Sequence, residues 1–491
     1  MPMLVPSLLR AAGAFCVLFA LAAQAADPVP AAVMQELARQ EIPAGALSYR
    51  IEPLGAAAAP AHGLDERRSV NPASAMKLVT TLAALDTLGP AYRWRTALLS
   101  DAPPAHGALK GNLYLLGGGE PNLTWERLGA MLRSVRDEGI VSITGDLVLD
   151  RSLFEPSRTD IGAAPFDDTP DAWYNVIPDA LMVSDGLISY TLSSDASTLR
   201  VQATPPLSGV RVLNRMTLDD RPCADWSDTW RQPLVQARAD NGLQIVLTGS
   251  FPRHCSKTVD LATLERDEYL ERLVRALWQE MGGQWRGKVR AGRVPPGAQM
   301  LVERRFETLA ETVRTVNKNS DAVKARLLLL TMGATSSAGE ARPTLERARG
   351  RVLDWIVAQG VDPAGIVIEN GAGLSRHERI SPAALSALLK RAAASRWQPE
   401  FAASLPIAAL DGTMKNRLKA TLAAGNSRLK TGTLRDVAAL AGYVRDLHGQ
   451  EWAVAAFIND PQAEKGRAVL DRLMAWVAEG GAAAQQQAHD R

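Results

Sequence analysis

An α+β fold with a β-rich interruption is what this chain predicts, and three observations carry that expectation. Behind Asn71-Pro72-Ala73-Ser74, the residues Met76, Leu78, Val79, Leu82, Ala83 and Leu85 recur at helical spacing and give an apolar face that can sink into a core. Between 187 and 261, short strand-length runs alternate with turn residues. The last third returns to helical patterns and ends on two strand-like runs, 438–444 and 452–458, ahead of a closing helix over 465–478. Helices and strands segregated in this way belong to the α+β class. With 491 residues, 46% of them hydrophobic, the chain is long enough for two or three domains.

Taken in order, Arg10 precedes an apolar run over 11–23, followed by Ala23-Gln24-Ala25 and then Asp27. These are the parts of a secretory signal peptide, so residues 1–25 are expected to direct export and be removed. The run is short for a bilayer span and nothing later approaches one, so the mature protein is expected to be soluble, with no transmembrane segment. Cys223 and Cys255 then remain as an even pair in an exported chain, and a disulfide between them is expected. Closing a loop of about 33 residues would stabilise the fold by roughly 3 to 4 kcal/mol.

Val33, Met34 and Leu37 suggest a helix over 29–41, and 46–54 alternates like a strand. The helix at Ser74 ends near Leu88-Gly89-Pro90. Strands over 94–99 and 111–116 lead to Gly117-Gly118-Gly119, which lacks dinucleotide-fingerprint spacing and reads as a tight turn. A helix over 124–137 and a strand over 142–150 follow, then a long surface loop over 160–179, rich in Pro, Asp and Ala. The β-rich block contains runs at 188–192, 199–203, 210–213 and 243–247, with both mature cysteines inside it. A helix over 266–281 closes the block, and a strand over 299–303 returns the chain to its main body. Helices over 309–316, 322–332 and 344–359 and a glycine-rich turn at 370–374 complete the pattern, and 481–491 reads as a flexible tail.

The 55 basic and 53 acidic residues are spread without long runs, which implies neither nucleic acid nor an anionic surface as a partner. His62, His106, His254, His377, His448 and His489 fall in no metal-ligand spacing, so neither metal nor cofactor is expected.

Chemistry points to Ser74 and Lys77. Three residues apart on a helix, a hydroxyl and an amine lie within reach, and a desolvated Lys loses much of its preference for charge. A neutral amine beside a serine is a general base beside a nucleophile. The spacing alone is equally served by a capping Ser and a solvated Lys, and Ser427-Arg428-Leu429-Lys430 repeats it. Context separates the two, because Ser427 leads into Lys430-Thr431-Gly432-Thr433-Leu434, which reads as an edge strand.

Set side by side, Ser74-Ala75-Met76-Lys77, Ser320-Asp321-Ala322 and Lys430-Thr431-Gly432-Thr433 form the three signatures of penicillin-recognising serine enzymes, the second incomplete. Over most of its mature length the chain resembles D-alanyl-D-alanine carboxypeptidase/endopeptidases of the penicillin-binding protein 4 type. Leu113-Tyr114-Leu115 before the glycine run, Asn317-Lys318, Gly373-Leu374-Ser375-Arg376, Leu405-Pro406 with Asp411-Gly412-Thr413, and Gly442-Tyr443 all match segments of that family. The long separation of Lys77 from Ser320 fits its inserted domains.

The resemblance implies a DD-peptidase/β-lactamase-like transpeptidase domain, an antiparallel sheet flanked by helices, over 27–93 and 299–480. A first inserted domain would cover 94–180 and 262–298, and a second, β-rich one 181–261. Ser74 would attack the carbonyl of the penultimate D-alanine, Lys77 would accept its proton, and Ser320 would relay a proton to the leaving amine. The N–H groups of Ser74 and Thr433 would form the oxyanion hole, each worth on the order of 3 kcal/mol in the transition state. Lys430, Thr431 and Thr433 would bind the terminal carboxylate, with Gly432 allowing close backbone approach. Partners implied are peptidoglycan peptides, with β-lactams as inhibitors, in the periplasm, and a homodimer is left open.

Departures from the family pattern are Ala322 for an Asn, Arg326 for an acidic residue, and Glu120 and Asn370 where Asp is expected. Ala322 keeps open a degenerate penicillin-binding protein that binds cell-wall peptides with little turnover. A serine β-lactamase would share Ser74, Lys77 and Lys-Thr-Gly, but no dedicated water activator is visible in the sequence.

Overall fold

The computed structural model describes residues 29–55, 61–336 and 341–484. The expected signal peptide lies outside the described residues, as does 485–491.

Five antiparallel strands build the sheet that carries the site, in the order Ser427–Leu434, Val437–Arg445, Glu451–Asn459, Leu47–Pro53, His62–Leu64. An N-terminal strand thus lies against a C-terminal one, with Tyr49 opposite Ala456. The Val437 and Glu451 strands are buried on both faces and read accordingly as nearly continuous apolar runs. On one face pack Ala31–Arg39 and Gly466–Ala478. On the other, Met76–Leu88 sits among Leu309–Asn319, Ala322–Ala334, Thr344–Ala358 and Pro382–Ala393. Every residue of the Met76 helix from Met76 to Leu85 is buried, so it is an interior rod rather than the one-faced helix of a surface.

The insertion holds a second five-stranded sheet, ordered Val289–Ala291, Leu147–Asp150, Leu113–Leu116, Thr96–Ser100, Gln299–Arg304. The last strand pairs antiparallel with Thr96–Ser100, so the chain leaves this sheet only after Arg304 and not at 299 as expected. The strand expected over 142–150 is broken into Ser142–Ile143 and Leu147–Asp150, which join different sheets. The β-rich block contains more strands than its apolar runs announced, including Leu234–Ala237 and Ser256–Leu261.

Two inserted domains were expected, yet one hydrophobic core serves both. Leu98, Leu113 and Leu149 of the first pack in the same cluster as Ile188, Tyr190 and Leu247 of the second, with Leu273 and Trp278 of helix Arg266–Glu280. Cys223 and Cys255 are joined as a disulfide beside this core. Thiol titration of the denatured, unreduced protein lacking residues 1–25 should therefore find no free thiol, and Cys223→Ser should lower stability by about 2 to 4 kcal/mol in chemical denaturation. Two titratable thiols would contradict the bond.

The tail also differs from expectation at its start. Ala482 is fully buried against the C-terminal helix cluster, Ala483 packs beside it, and the Ala482 carbonyl lies 2.8 Å from His62 Nε2, so 482–483 are packed rather than a loose tail. No helix among the described residues is long and apolar enough to cross a membrane.

Candidate active site

A short 3-10 turn, Ala73–Ala75, delivers Ser74 onto the N-terminus of the Met76 helix. Ala73 adopts a left-handed φ of 45°, a conformation that costs a non-glycine residue about 1 to 3 kcal/mol. Neighbouring polar contacts hold it there. Asn71 Oδ1 accepts from Ala73 N at 2.8 Å, and Asn71 Nδ2 donates to Ser375 O at 3.0 Å. Asn71 and Asn459 exchange reciprocal amide–backbone bonds of 3.1 Å, tying the turn to the end of the Glu451 strand.

Lys77 Nζ donates to Ser74 Oγ at 2.9 Å and also to the Ala372 carbonyl. The amine is fully buried, and burial pushes its pKa down to about 8, opposed by the charges of Glu378 and Asp321 and reinforced by Arg326. Ser74 itself is partly exposed. The pair expected from the i, i+3 spacing is therefore formed, with Ser74 partly exposed and the amine dry.

Ser320 caps the end of helix Leu309–Asn319 in a left-handed conformation, and Asp321 starts the next helix by accepting from Lys324 N at 2.9 Å. Lys430 Nζ donates to Ser320 Oγ at 2.8 Å and to Thr431 O at 2.7 Å. Burial, then the charge of Lys77, pushes Lys430 well below its ordinary value. Two hydrogen bonds thus already engage this amine. Thr431 Oγ1 donates to Thr413 Oγ1 at 2.8 Å, while Thr433 is exposed on the edge strand. Gly432 has a sharper reason than the one expected: a Cβ there would lie 2.8 Å from Pro72 O and 2.9 Å from Ser74 N. Glycine lets the edge strand close onto the Ala73–Ala75 turn itself.

Ser427, the other match, is fully buried on strand Ser427–Leu434, where residues three apart point to opposite faces. It makes no pair with Lys430.

The departures can now be placed. Ala322 is buried at the first turn of helix Ala322–Ala334, in the cluster that includes Ala75 and Met76. Asn317 cannot stand in for the missing amide, since its Nδ2 is spent on Ser404 Oγ at 2.8 Å and Thr81 Oγ1 at 3.3 Å, and Asn319 faces solvent. Asn370 does the work of an Asp, accepting from Ala372 N at 2.9 Å. Glu120 is buried and its carboxyl is pushed up to about 7 by that burial. Arg326 donates to Val176 O at 3.1 Å and lies 5.1 Å from the centroid of the Phe166 ring, clamping the helix to the long loop of the insertion.

Sequence reasoning missed the two groups that frame Lys77 from behind, the Ala372 carbonyl and the Glu378 carboxylate. The glycine-rich turn was visible as a turn, but no local pattern says which carbonyl it will offer to a residue 295 positions earlier.

Comparison with known proteins decides the family. The model of the D-Ala-D-Ala carboxypeptidase 3 (S13) family matches residues 31–479, nearly the whole described chain. The chain belongs to the S13 family. It is thus an enzyme of the D-Ala-D-Ala carboxypeptidase class, as the three motifs implied. The D-alanyl-D-alanine carboxypeptidase of Actinomadura sp. strain R39 is 30% identical over 425 residues, covering 83% of this S13 chain and 77% of the relative. D-alanyl-D-alanine carboxypeptidase DacB of Haemophilus influenzae is 26% identical over 392 residues, 79% of this chain and 80% of the relative. The crystal structure of penicillin binding protein 4 (dacB) from the same organism superposes with a TM-score of 0.72 at 22% identity, over 92% of this chain and 99% of that one. At that identity the superposition establishes the shared α+β fold.

Proposed function

We propose that this S13 chain cleaves D-Ala-D-Ala-containing peptidoglycan stem peptides in the periplasm through an acyl-enzyme on Ser74, and that β-lactams inhibit it by acylating the same hydroxyl. The 2.9 Å hydrogen bond from a fully buried Lys77 amine to the hydroxyl of a partly exposed Ser74 carries the reading. Neutral Lys77 takes the Ser74 proton as Oγ attacks the penultimate D-alanine carbonyl, and the Ser74 and Thr433 N–H groups hold the developing oxyanion. The proton reaches the departing D-alanine amine through Ser320, whose Oγ is oriented by Lys430. Water then completes hydrolysis of the ester. The apolar run over 11–23 and the Cys223–Cys255 bond support an exported place of action.

Incubating the purified mature protein with uncross-linked and cross-linked muropeptides, and weighing the products, tests this. Loss of one terminal D-alanine, or conversion of cross-linked dimers to monomers, is expected; unchanged masses for both would sink the catalytic reading.

Ala322 supports a second reading, a penicillin-binding protein that acylates slowly. Ala322→Asn is expected to raise the second-order rate of penicillin acylation at least several-fold, because a hydrogen bond of about 1 to 3 kcal/mol in the transition state corresponds to roughly 5-fold to 150-fold. The buried position adds a cost, and overpacking should lower stability by about 1 to 3 kcal/mol. An unchanged or lower rate in a folded Asn form would show a site rebuilt around other donors.

A further inference from the structure

Lys77 must hold its amine against Ser74 without a carboxamide at 322. Among the described residues, the hydrogen bonds of Lys77 Nζ go to Ser74 Oγ and to the Ala372 carbonyl. Whatever fixes Ala372 therefore fixes the base.

The answer lies six residues further on. Glu378 is completely buried, and its carboxylate accepts the backbone N–H groups of Glu369 at 3.3 Å, Asn370 at 3.0 Å and Gly371 at 2.7 Å on Oε1, and of Gly373 at 2.7 Å on Oε2. The remaining amide of this run, Ala372 N, is taken by Asn370 Oδ1. Five successive backbone donors are thus committed inward, which leaves the Ala372 carbonyl facing Lys77. The carbonyl before it, Gly371 O, accepts from Thr80 Oγ1 at 2.6 Å, one helical turn beyond Lys77. The loop also touches the nucleophile turn directly, since a Cβ on Gly373 would lie 2.0 Å from Ala73 O and 2.6 Å from Ser74 N.

We infer that Glu378 is the positioning residue for the base: its buried carboxylate gathers the 369–373 amides into a loop that seats the Lys77 amine on Ser74 and supplies a counter-charge behind it. This rests on the reading of Lys77 as the base. Every partner of the carboxylate is a donor, the arrangement that suits an anion, although burial pushes the acid up from its ordinary value. The charged groups that act on Lys77 are Glu378 and Asp321, which favour its ammonium, and Arg326, which disfavours it, while the charge of Lys77 in turn lowers Lys430. Those that act with Glu378 are Lys77 and Arg326. A buried acid with a purely structural role would stabilise the loop and leave the titration of Lys77 untouched.

The test compares the full mature protein with Glu378→Gln and Glu378→Asp, reading the rate of labelling by a fluorescent penicillin from neutral to alkaline pH, the labelled peptide, and the thermal melt. In Glu378→Gln the plateau rate should fall about 100-fold as the amine loses its seat. The pH of half-maximal rate should also move downward, because removing an anion favours the neutral amine. Glu378→Asp keeps the charge with a shorter reach, so its plateau should fall while the half-maximal pH stays that of the parent. A Glu378→Gln protein that melts lower but keeps the parent's plateau and half-maximal pH overturns the inference while leaving Ser74 chemistry standing. If Glu378→Gln does not fold, Glu378→Asp decides: a reduced plateau at unshifted pH supports the role and a parent-like plateau overturns it. A parent protein that is not labelled on Ser74 overturns both the catalytic reading and this inference together.

Discussion

Replacing Ser74 with alanine is expected to abolish covalent labelling by penicillin and leave the fold unchanged. Ser74 is partly exposed and its Oγ accepts from Lys77 Nζ, so removing it costs the protein one hydrogen bond while Lys77 retains the Ala372 carbonyl. The chemistry has no substitute nucleophile at hand. Ser320 Oγ is held by the hydrogen bond from Lys430, which also bonds Thr431 O, and Ser427 is closed off in the sheet. Fluorescent penicillin followed by peptide mapping should place the adduct of the parent protein on Ser74 and find none in Ser74→Ala. An adduct on Ser320 or Ser427 in the parent would refute the mechanism, and persistence of the adduct in Ser74→Ala would do the same.

Local spacing made half of this site legible. Ser74 and Lys77 are three apart on one helix, so their contact follows from helical geometry alone. The partnership of Lys430 with Ser320 spans 110 positions, and only resemblance to a family brought the two motifs together. Glu378 was silent because a buried acid is recognised by the amides that converge on it, and those appear only when the chain turns at Gly371 and Gly373, both at positive φ. Helix Pro382–Ala393 was overlooked although Ser381 and Pro382 are a regular start signal, with Ser381 Oγ accepting from Ala384 N. The return of the chain at 299 was misplaced for a different reason. A strand pattern says that Gln299–Arg304 pairs, and not with whom, and the partner is Thr96–Ser100 of the insertion. The shared core of the insertion was equally invisible, because apolar runs on either side of 181 carry no mark of which sheet they will face.

The second large effect is expected at Lys77. Lys77→Met removes the base and keeps an unbranched apolar stem in a pocket that is already dry, so acylation should slow by about 100-fold to 10,000-fold in a folded protein. The pH profile supplies an independent check. With a pKa near 8, most of the parent's amines are protonated at neutral pH, and the acylation rate should climb as pH rises through about 8 and then level off. In Lys77→Met that rise should disappear. Stability should move the opposite way from activity. The folded-state pKa lies below the unfolded value of about 10.4, so the fold binds fewer protons than the unfolded chain, and the parent gains stability as pH rises from about 8 toward the unfolded value. Below that window the buried ammonium penalises the fold by a few kcal/mol, on the order of 3. Methionine carries no such penalty, so Lys77→Met should melt higher than the parent at neutral pH, with the difference shrinking as pH rises. Acylation at the parent's rate by Lys77→Met, or a parent rate that is flat through pH 8, would mean that another group removes the Ser74 proton.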